Sequence, residues 1–139
     1  MKTVRLGRTG LTVARVGFGG IPIQRLTDDE AVRVVRRCLD LGVTLLDTAT
    51  GYTTSEERIG KAIAGRRAEL VIATKTPARD KATALQHLEL SLKRLNTDYI
   101  DLWQLHNVST AEAYEKVLGP AGAMEAALEA LRAGKIRHI

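Results

Sequence analysis

Apolar and polar residues along this chain follow two different periods, which separate predicted strands from predicted helices. Short apolar runs rich in β-branched residues are typical of buried strands. The runs are "ARVGFGG", "VTLLDTA", "ELVIATK", "YIDLWQLH" and the closing "IRHI". Two shorter strand-like stretches flank the turn "GRTG" near the N-terminus and predict a β-hairpin.

The segments between these runs have the apolar periodicity of helices. It is clearest in "KATALQHLELSLKRL", where leucines at 85, 88, 92 and 95 share one face and Asp80 can cap the first turn. Two earlier helices begin with capping-box patterns: Thr27 with Glu30 before "AVRVVRRCLDL", and Thr54 with Glu57 before "RIGKAIAG". We expect Gly42 to close the first of these helices.

A fourth helix is predicted from about Ala121 to a stop at Gly134. It carries Met124, Leu128 and Leu131 at helical spacing. We interpret these apolar side chains as a core face and not as a cofactor contact.

Strands and helices that alternate in this way predict βαβ units on a parallel sheet. Two architectures compete, a doubly wound open sheet and a (β/α)₈ barrel of the TIM type. The dinucleotide fingerprint GxGxxG is absent, because "GFGGIP" lacks the third glycine at the required place. The pattern therefore favours the barrel, in the α/β class, preceded by the β-hairpin.

Chain length complicates the barrel prediction. A full barrel takes about 250 residues, whereas residues 1–139 supply only the first four to five βα units of a single partial barrel domain. Half a barrel leaves sheet edges unpaired, which favours self-association. We interpret the chain as a truncated product, a fragment, or one half of an assembly.

Composition and charge limit the classes of partner that we expect for this chain. The net charge is +5 and the pI near 9.7, but only 4% of residues are aromatic and no nucleic-acid-binding motif is present. We therefore expect solvated basic helix faces and no nucleic acid. The chain carries neither a signal-peptide pattern nor an apolar run of membrane-spanning length, so we expect no membrane partner and a cytoplasmic protein. The single cysteine, Cys38, offers neither a disulfide nor a metal site.

Three successive predicted strands end on ionisable residues, which are Asp47, Lys75 and His106. In a barrel the carboxyl ends of the strands meet at one rim, where active sites lie. If these three side chains point inward, alternation also turns Gln104 inward and leaves Trp103 facing the helices. Taken alone, each of these ionisable residues is more often found in a turn, in contact with solvent or in a structural role than in an active site. Gln104 has no explanation in this pattern.

The same stretches resemble the aldo-keto reductase family. "GVTLLDTATGYTTSEERIGKAI" is similar to the family signature of a glycine, Asp-Thr-Ala, a tyrosine, Ser-Glu and a glycine. "VIATKT" resembles the family's lysine strand, and "LNTDYIDLWQLHN" its histidine strand. "GKIRHI" is similar to the lead-in to the fifth strand, so the resemblance runs through nearly the whole chain.

This resemblance implies a catalytic tetrad of Asp47, Tyr52, Lys75 and His106. Tyr52 would donate the proton during reduction of an aldehyde or ketone, and Asp47 would pair with Lys75. The implied cofactor is usually NADPH, with NADH as an alternative, and Gly20, Ile21 and Asp47 would lie near its nicotinamide and ribose. The family's later strands supply the other cofactor contacts, and those strands are not part of this sequence.

Two other functions stay open. A lysine at the end of a barrel strand can form a Schiff base, so a lyase using Lys75 is one alternative. A non-catalytic half-barrel that pairs with itself or with a partner is the other. We expect no metal site.

Overall fold

The computed structural model describes residues 1–139. Its chain begins with a hairpin in which β1 (Thr3–Arg5) pairs antiparallel with β2 (Thr12–Ala14). The connecting turn contains Gly7 and Gly10, both with positive φ, a conformation that glycine adopts without strain. The predicted hairpin is thus confirmed as a separate two-stranded sheet.

The main sheet has five parallel strands. They are β3 (Phe18–Gly19), β4 (Leu45–Asp47), β5 (Val71–Thr76), β6 (Ile100–Leu105) and β7 (Ile136–His138). Each strand lies beside the one before it, in the order β3-β4-β5-β6-β7. A doubly wound sheet reverses its strand order at a switch point, and this sheet does not. The order is that of consecutive strands of a barrel.

Helices connect the parallel strands. They are α1 (Asp28–Asp40), α2 (Ser55–Ala62), α3 (Lys81–Leu95), α4 (Ala111–Leu118) and α5 (Ala123–Arg132). Four of them follow the predicted segments, whereas α4 was not predicted. Its local signals are a cap at Thr110, whose side chain accepts from the Ala113 N–H, and a stop at Gly119-Pro120. No helix combines the length and apolarity that a membrane span requires.

Two of the predicted helix starts are confirmed and one is wrong. Thr27 and Glu30 form a full capping box, and Asp80 accepts from the Thr83 N–H. Thr54 precedes α2 with helical backbone angles and makes no capping hydrogen bond. An N-cap needs an extended backbone to aim its side chain at the first turn. The short loop before α2 does not provide that geometry, so the expected box with Glu57 does not form.

The core lies between the main sheet and its helices. Leu46, Ile72 and Trp103, on the outward faces of β4, β5 and β6, are fully buried there. The predicted face of α5 is only partly right. Met124 is partly buried against the core, but Leu128 and Leu131 are exposed, and the buried residues are alanines at 123, 126, 127 and 130. Alanines allow a close approach of α5 to the neighbouring elements, which the larger leucines would prevent.

Candidate active site

The four residues of the implied tetrad lie together at the carboxyl ends of three adjacent strands. Asp47 is the last residue of β4, Lys75 is the penultimate residue of β5, and His106 directly follows β6. Tyr52 lies in the loop between β4 and α2. Parallel pairing brings these strand ends to one edge of the sheet, as the sequence predicted.

Asp47 and Lys75 form an ion pair. The Lys75 Nζ donates to Asp47 Oδ2 at 2.7 Å and to the Thr48 carbonyl at 2.6 Å. The lysine side chain is 13% exposed and the aspartate 40%. A carboxylate at the end of a buried strand is costly unless it is paired or hydrogen-bonded. The ion pair therefore accounts for an aspartate at the end of this apolar run.

Gln104 completes the partners of Asp47. Its Nε2 donates to Asp47 Oδ1 at 3.2 Å, so the two carboxylate oxygens have different donors. Gln104 lies opposite Lys75 in the register between β5 and β6. From the sequence, only the inward position of Gln104 could be predicted. Its partner, Asp47, became clear from the structure, in which β4 and β6 lie on either side of β5.

Tyr52 lies against both remaining members of the group. The Lys75 Nζ is 5.1 Å from the centre of the Tyr52 ring, within the range of a cation–π interaction. The rings of Tyr52 and His106 meet edge to face, with centres 5.8 Å apart and planes inclined by 79°. The phenol, ammonium and imidazole thus surround one common space at the rim.

The imidazole of His106 is biased toward its neutral form. Burial lowers the pKa of His106 below its usual 6.5, and the Lys75 ammonium lowers it further. Asp47 acts in the opposite direction, and Arg79 adds a smaller lowering. A neutral imidazole can donate one hydrogen bond and accept another at this rim.

The loop after β3 reaches the same rim. The Gly20 N–H donates to the Asp47 carbonyl at 2.8 Å. A Cβ on Gly20 would lie 2.4 Å from Ser55 Oγ and 3.2 Å from Thr48 Oγ1, so only glycine allows this close approach. Ile21 follows and is 52% exposed. Of the residues named for the cofactor, Gly20 therefore lies beside Asp47, and Ile21 is the next residue along the chain.

Sequence reasoning missed a further group behind the loop between β4 and α2, residues 48–54, which we call the Tyr52 loop. Thr50 contacts Ser91 and Arg94 of α3, and Arg94 contacts the buried Glu56 of α2. Ser91 and Arg94 are three residues apart on a helix, which places them on one face. That spacing was visible, but nothing in the sequence indicated which loop the face would meet.

The aldo/keto reductase family profile matches residues 15–139. The chain is 35% identical over 158 aligned positions to the aldo-keto reductase YhdN of Bacillus subtilis (strain 168), covering 100% of this chain and 46% of YhdN.

Solved structures agree with this match. An aldo-keto reductase from Bacillus halodurans in its holo form has a TM-score of 0.83 and 33% identity, covering 99% of this chain and 49% of that one. An aldo-keto reductase from Klebsiella pneumoniae, solved in complex with NADPH, has a TM-score of 0.79 and 32% identity, covering 98% of this chain and 47% of that one. The chain thus spans about half the length of the relatives it matches.

The profile match, these identities and the shared strand order lead to the same conclusion: this chain belongs to the aldo/keto reductase family and has the fold of the first half of that family's barrel.

Proposed function

We propose that the protein reduces aldehydes or ketones to alcohols with a nicotinamide cofactor and that Tyr52 donates the proton. The observation that carries this proposal is the position of Tyr52, whose ring contacts both Lys75 and His106 at one rim. A phenol between an ammonium and a neutral imidazole is suited to proton donation to a carbonyl oxygen.

The charges around Tyr52 match the needs of carbonyl reduction. Negative charge develops on the carbonyl oxygen, and Tyr52 neutralises it by giving up its phenolic proton. The ammonium of Lys75 faces the ring and stabilises the phenolate that remains. Asp47 and the Thr48 carbonyl hold that ammonium in place.

His106 has a positioning role in this scheme. Its lowered pKa keeps the imidazole neutral near pH 7, so a ring N–H is available to the substrate oxygen without adding a second positive charge beside Lys75. A hydrogen bond from His106 would orient the carbonyl toward Tyr52.

The rim also suits the reacting end of a nicotinamide nucleotide. Ile21 presents an exposed apolar side chain, and the side of Gly19 is open, with no atom within 4 Å of the place of a Cβ. Gly20, Ile21 and Asp47 would hold the nicotinamide and its ribose. When bound, this cofactor supplies hydride to the carbonyl carbon. The Klebsiella pneumoniae relative in complex with NADPH supports NADPH as the first candidate, and NADH is the alternative.

A Schiff-base lyase using Lys75 is less well supported. The Lys75 Nζ already donates to two acceptors, the Asp47 carboxylate and the Thr48 carbonyl, and it would have to give up these contacts to attack a carbonyl carbon. Borohydride trapping of a carbonyl compound on Lys75 would favour the lyase.

The open sheet supports a second candidate function, a half-barrel that pairs with itself or with a partner. β3 and β7 each have a single neighbour in the sheet, and Leu128 and Leu131 of α5 are exposed. Such edges favour association. Sedimentation at several protein concentrations tests pairing with itself: a concentration-dependent dimer supports self-pairing, and a stable monomer at all concentrations contradicts it.

Cofactor binding followed by turnover tests the reductase proposal. We expect saturable NADPH binding by calorimetry, with NADH measured in parallel, and carbonyl-dependent oxidation of the bound cofactor. Tyr52→Phe should lower turnover by about 100-fold or more, since it removes the general acid. Tyr114→Phe, on the exposed surface of α4, is the matched control and should retain full turnover. Equal turnover by Tyr52→Phe contradicts the proposed role of Tyr52.

A further inference from the structure

Thr50, two residues before Tyr52, is held from two sides. Its N–H donates to the Lys75 carbonyl at 3.0 Å, which continues the pairing of β4 with β5 beyond the end of β4. Its hydroxyl lies 3.0 Å from the Ser91 hydroxyl. Its carbonyl accepts from Arg94 Nη1 at 3.2 Å. Strand β5 and helix α3 therefore both hold Thr50, which lies in the first part of the Tyr52 loop.

Arg94 is anchored by a buried carboxylate. Its Nη1 lies 3.5 Å from Glu56 Oε2, and Glu56 is only 1% exposed. The other carboxylate oxygen accepts from the Thr74 hydroxyl at 2.6 Å, and Thr74 is fully buried on β5 beside Lys75. A chain of polar contacts thus runs from β5 through Glu56 and Arg94 to Thr50.

Close packing of α2 on α3 makes this chain of contacts achievable. A Cβ on Gly60 would lie 2.3 Å from the Arg94 carbonyl oxygen and 3.0 Å from the Leu95 Cα. Only glycine permits this approach, which brings Glu56, one turn earlier on α2, within reach of Arg94. Gly60 and Glu56 are two signature positions of this chain that the proton-donor chemistry itself does not use.

The Tyr52 loop needs such support. Thr53 has a φ of 35°, a conformation that side chains other than glycine rarely adopt. A residue in such a conformation persists when its surroundings over-determine it. On the far side the Ser55 N–H donates to the Tyr52 carbonyl at 2.7 Å, so the loop is tied at both ends.

We propose that Ser91 and Arg94 of α3 are positioning residues, which hold Tyr52 against His106 through Thr50. The proposal rests on the role assigned to Tyr52 above. Neither residue contacts a side chain of the tetrad: Ser91 acts through the hydroxyl of Thr50, and Arg94 acts through the Thr50 carbonyl. Displacement of a reacting group by about 1 Å can cost about 100-fold in rate. The two residues are therefore expected to affect kcat more than KM.

A spectroscopic readout tests the proposal without requiring turnover. The edge-to-face contact of Tyr52 with His106 predicts a nuclear Overhauser cross-peak between their ring protons, assigned with Tyr52→Phe and His106→Gln. Arg94→Met should abolish this cross-peak in the folded chain. Lys93→Met, at the exposed neighbouring position, is the control and should leave it intact. A cross-peak of full intensity in Arg94→Met overturns the proposal.

A double variant separates positioning from folding. Arg94→Met alone leaves the buried carboxylate of Glu56 uncompensated, which destabilises the fold. Adding Glu56→Gln removes that charge and keeps an acceptor for Thr74, so the double variant should regain a melting temperature near the original. It should still lack the cross-peak, because the tie to Thr50 is gone. Ser91→Ala, which removes only the hydroxyl contact, should weaken the cross-peak. Recovery of the full cross-peak in the double variant contradicts a positioning role.

Kinetics provide the second readout. In a chain that turns over, the double variant should lose about 10-fold to 100-fold in kcat with little change in KM. A chain without any turnover contradicts the proposed function, whereas the cross-peak still decides the positioning role. A change confined to KM overturns positioning of the proton donor.

Discussion

Asp47 and Asp101 are both paired with cations, but at opposite ends of the main sheet. Asp101 lies near the amino end of β6, and its side chain is 2% exposed. It accepts from Arg67 at 2.7 Å, from the Ile72 N–H at 2.9 Å and from Arg137 at 3.3 Å. Asp47 has two donors and a side chain that is 40% exposed.

The surroundings of the two carboxylates differ in how far they occupy the paired cations. The Arg67 and Arg137 guanidinium carbons lie 4.0 and 3.9 Å from the centre of the Tyr99 ring, so both cations are also occupied by stacking. At the other end, Lys75 faces a tyrosine whose ring and neighbouring histidine border an open rim. A fully satisfied ion pair serves the fold, whereas a partly open one keeps charge available for a ligand. This division is the one expected of the two ends of a barrel.

The largest predicted effect comes from disrupting the hydrogen bonds and ion pairs that Asp101 accepts, which we call the Asp101 network. Asp101→Ala leaves two arginines without their carboxylate and a buried N–H without an acceptor, so the free energy of unfolding should fall by about 3–5 kcal/mol. Urea denaturation measures this loss. Asp98→Ala, at an exposed neighbouring position, should change stability little. Equal losses in the two variants would show that the network does not stabilise the fold.

Removal of the cation at the other end should cost less stability. Lys75→Met leaves Asp47 accessible to water, which can solvate the carboxylate in place of the ammonium. We expect a loss of about 1–2 kcal/mol in the free energy of unfolding, again by urea denaturation, together with loss of carbonyl reduction. A loss as large as that of Asp101→Ala would contradict the distinction between the two ends.

Gln104→Leu is a milder test of the Asp47 site. It removes one hydrogen bond to a carboxylate that keeps its ammonium partner, so stability should fall by about 1 kcal/mol. Because the Asp47 carboxylate then loses one of the two donors that fix its orientation, it holds the Lys75 ammonium less firmly, and turnover should fall severalfold. Leu102→Met, at an apolar position on the same face of β6, is the control and should retain turnover. Unchanged turnover in Gln104→Leu would show that Gln104 does not contribute to the site.

The smallest effect is a shift in the titration of His106, followed by the NMR signals of its ring. The pKa of His106 should lie below 6.5, should rise in Lys75→Met, and should fall further in Asp47→Asn. The unfolded chain then binds more protons than the folded chain between the folded pKa and 6.5. The contribution of this group to stability is therefore complete above pH 6.5 and decreases as the pH falls through the folded pKa. A shift of His106 to lower pKa in Lys75→Met would contradict the assigned repulsion.

Local patterns predicted the parts of the molecule that depend on neighbours in sequence. The capping box at Thr27 and the cap at Asp80 are contacts within four residues, and they form as expected. The alternation along β5 and β6 placed Lys75 and Gln104 on one face, and the strand pairing confirms it. The predicted cap at Thr54 does not form, because the path of the Tyr52 loop sets the backbone angles at Thr54 and overrides the local preference for a cap.

Contacts between distant segments were beyond these patterns. The buried face of α5 depends on how closely it packs on its neighbours, which favours alanines over Leu128 and Leu131. The bonds from Arg94 to Thr50 and from Gln104 to Asp47 join residues 44 and 57 positions apart. Propensity and periodicity carry no information about such distances.

The order of the strands and of four of the five helices, the rim on which Asp47, Lys75 and His106 lie, and the family resemblance can all be obtained from the amino-acid sequence. Those features follow from side-chain periodicity and from the rule that parallel strands share their carboxyl end. The second donor of Asp47, the closed network around Asp101 and the support of the Tyr52 loop by α3 required the folded chain. The physical reason is that each depends on the separation and angle of packed elements, which are set by the whole core and not by any one segment.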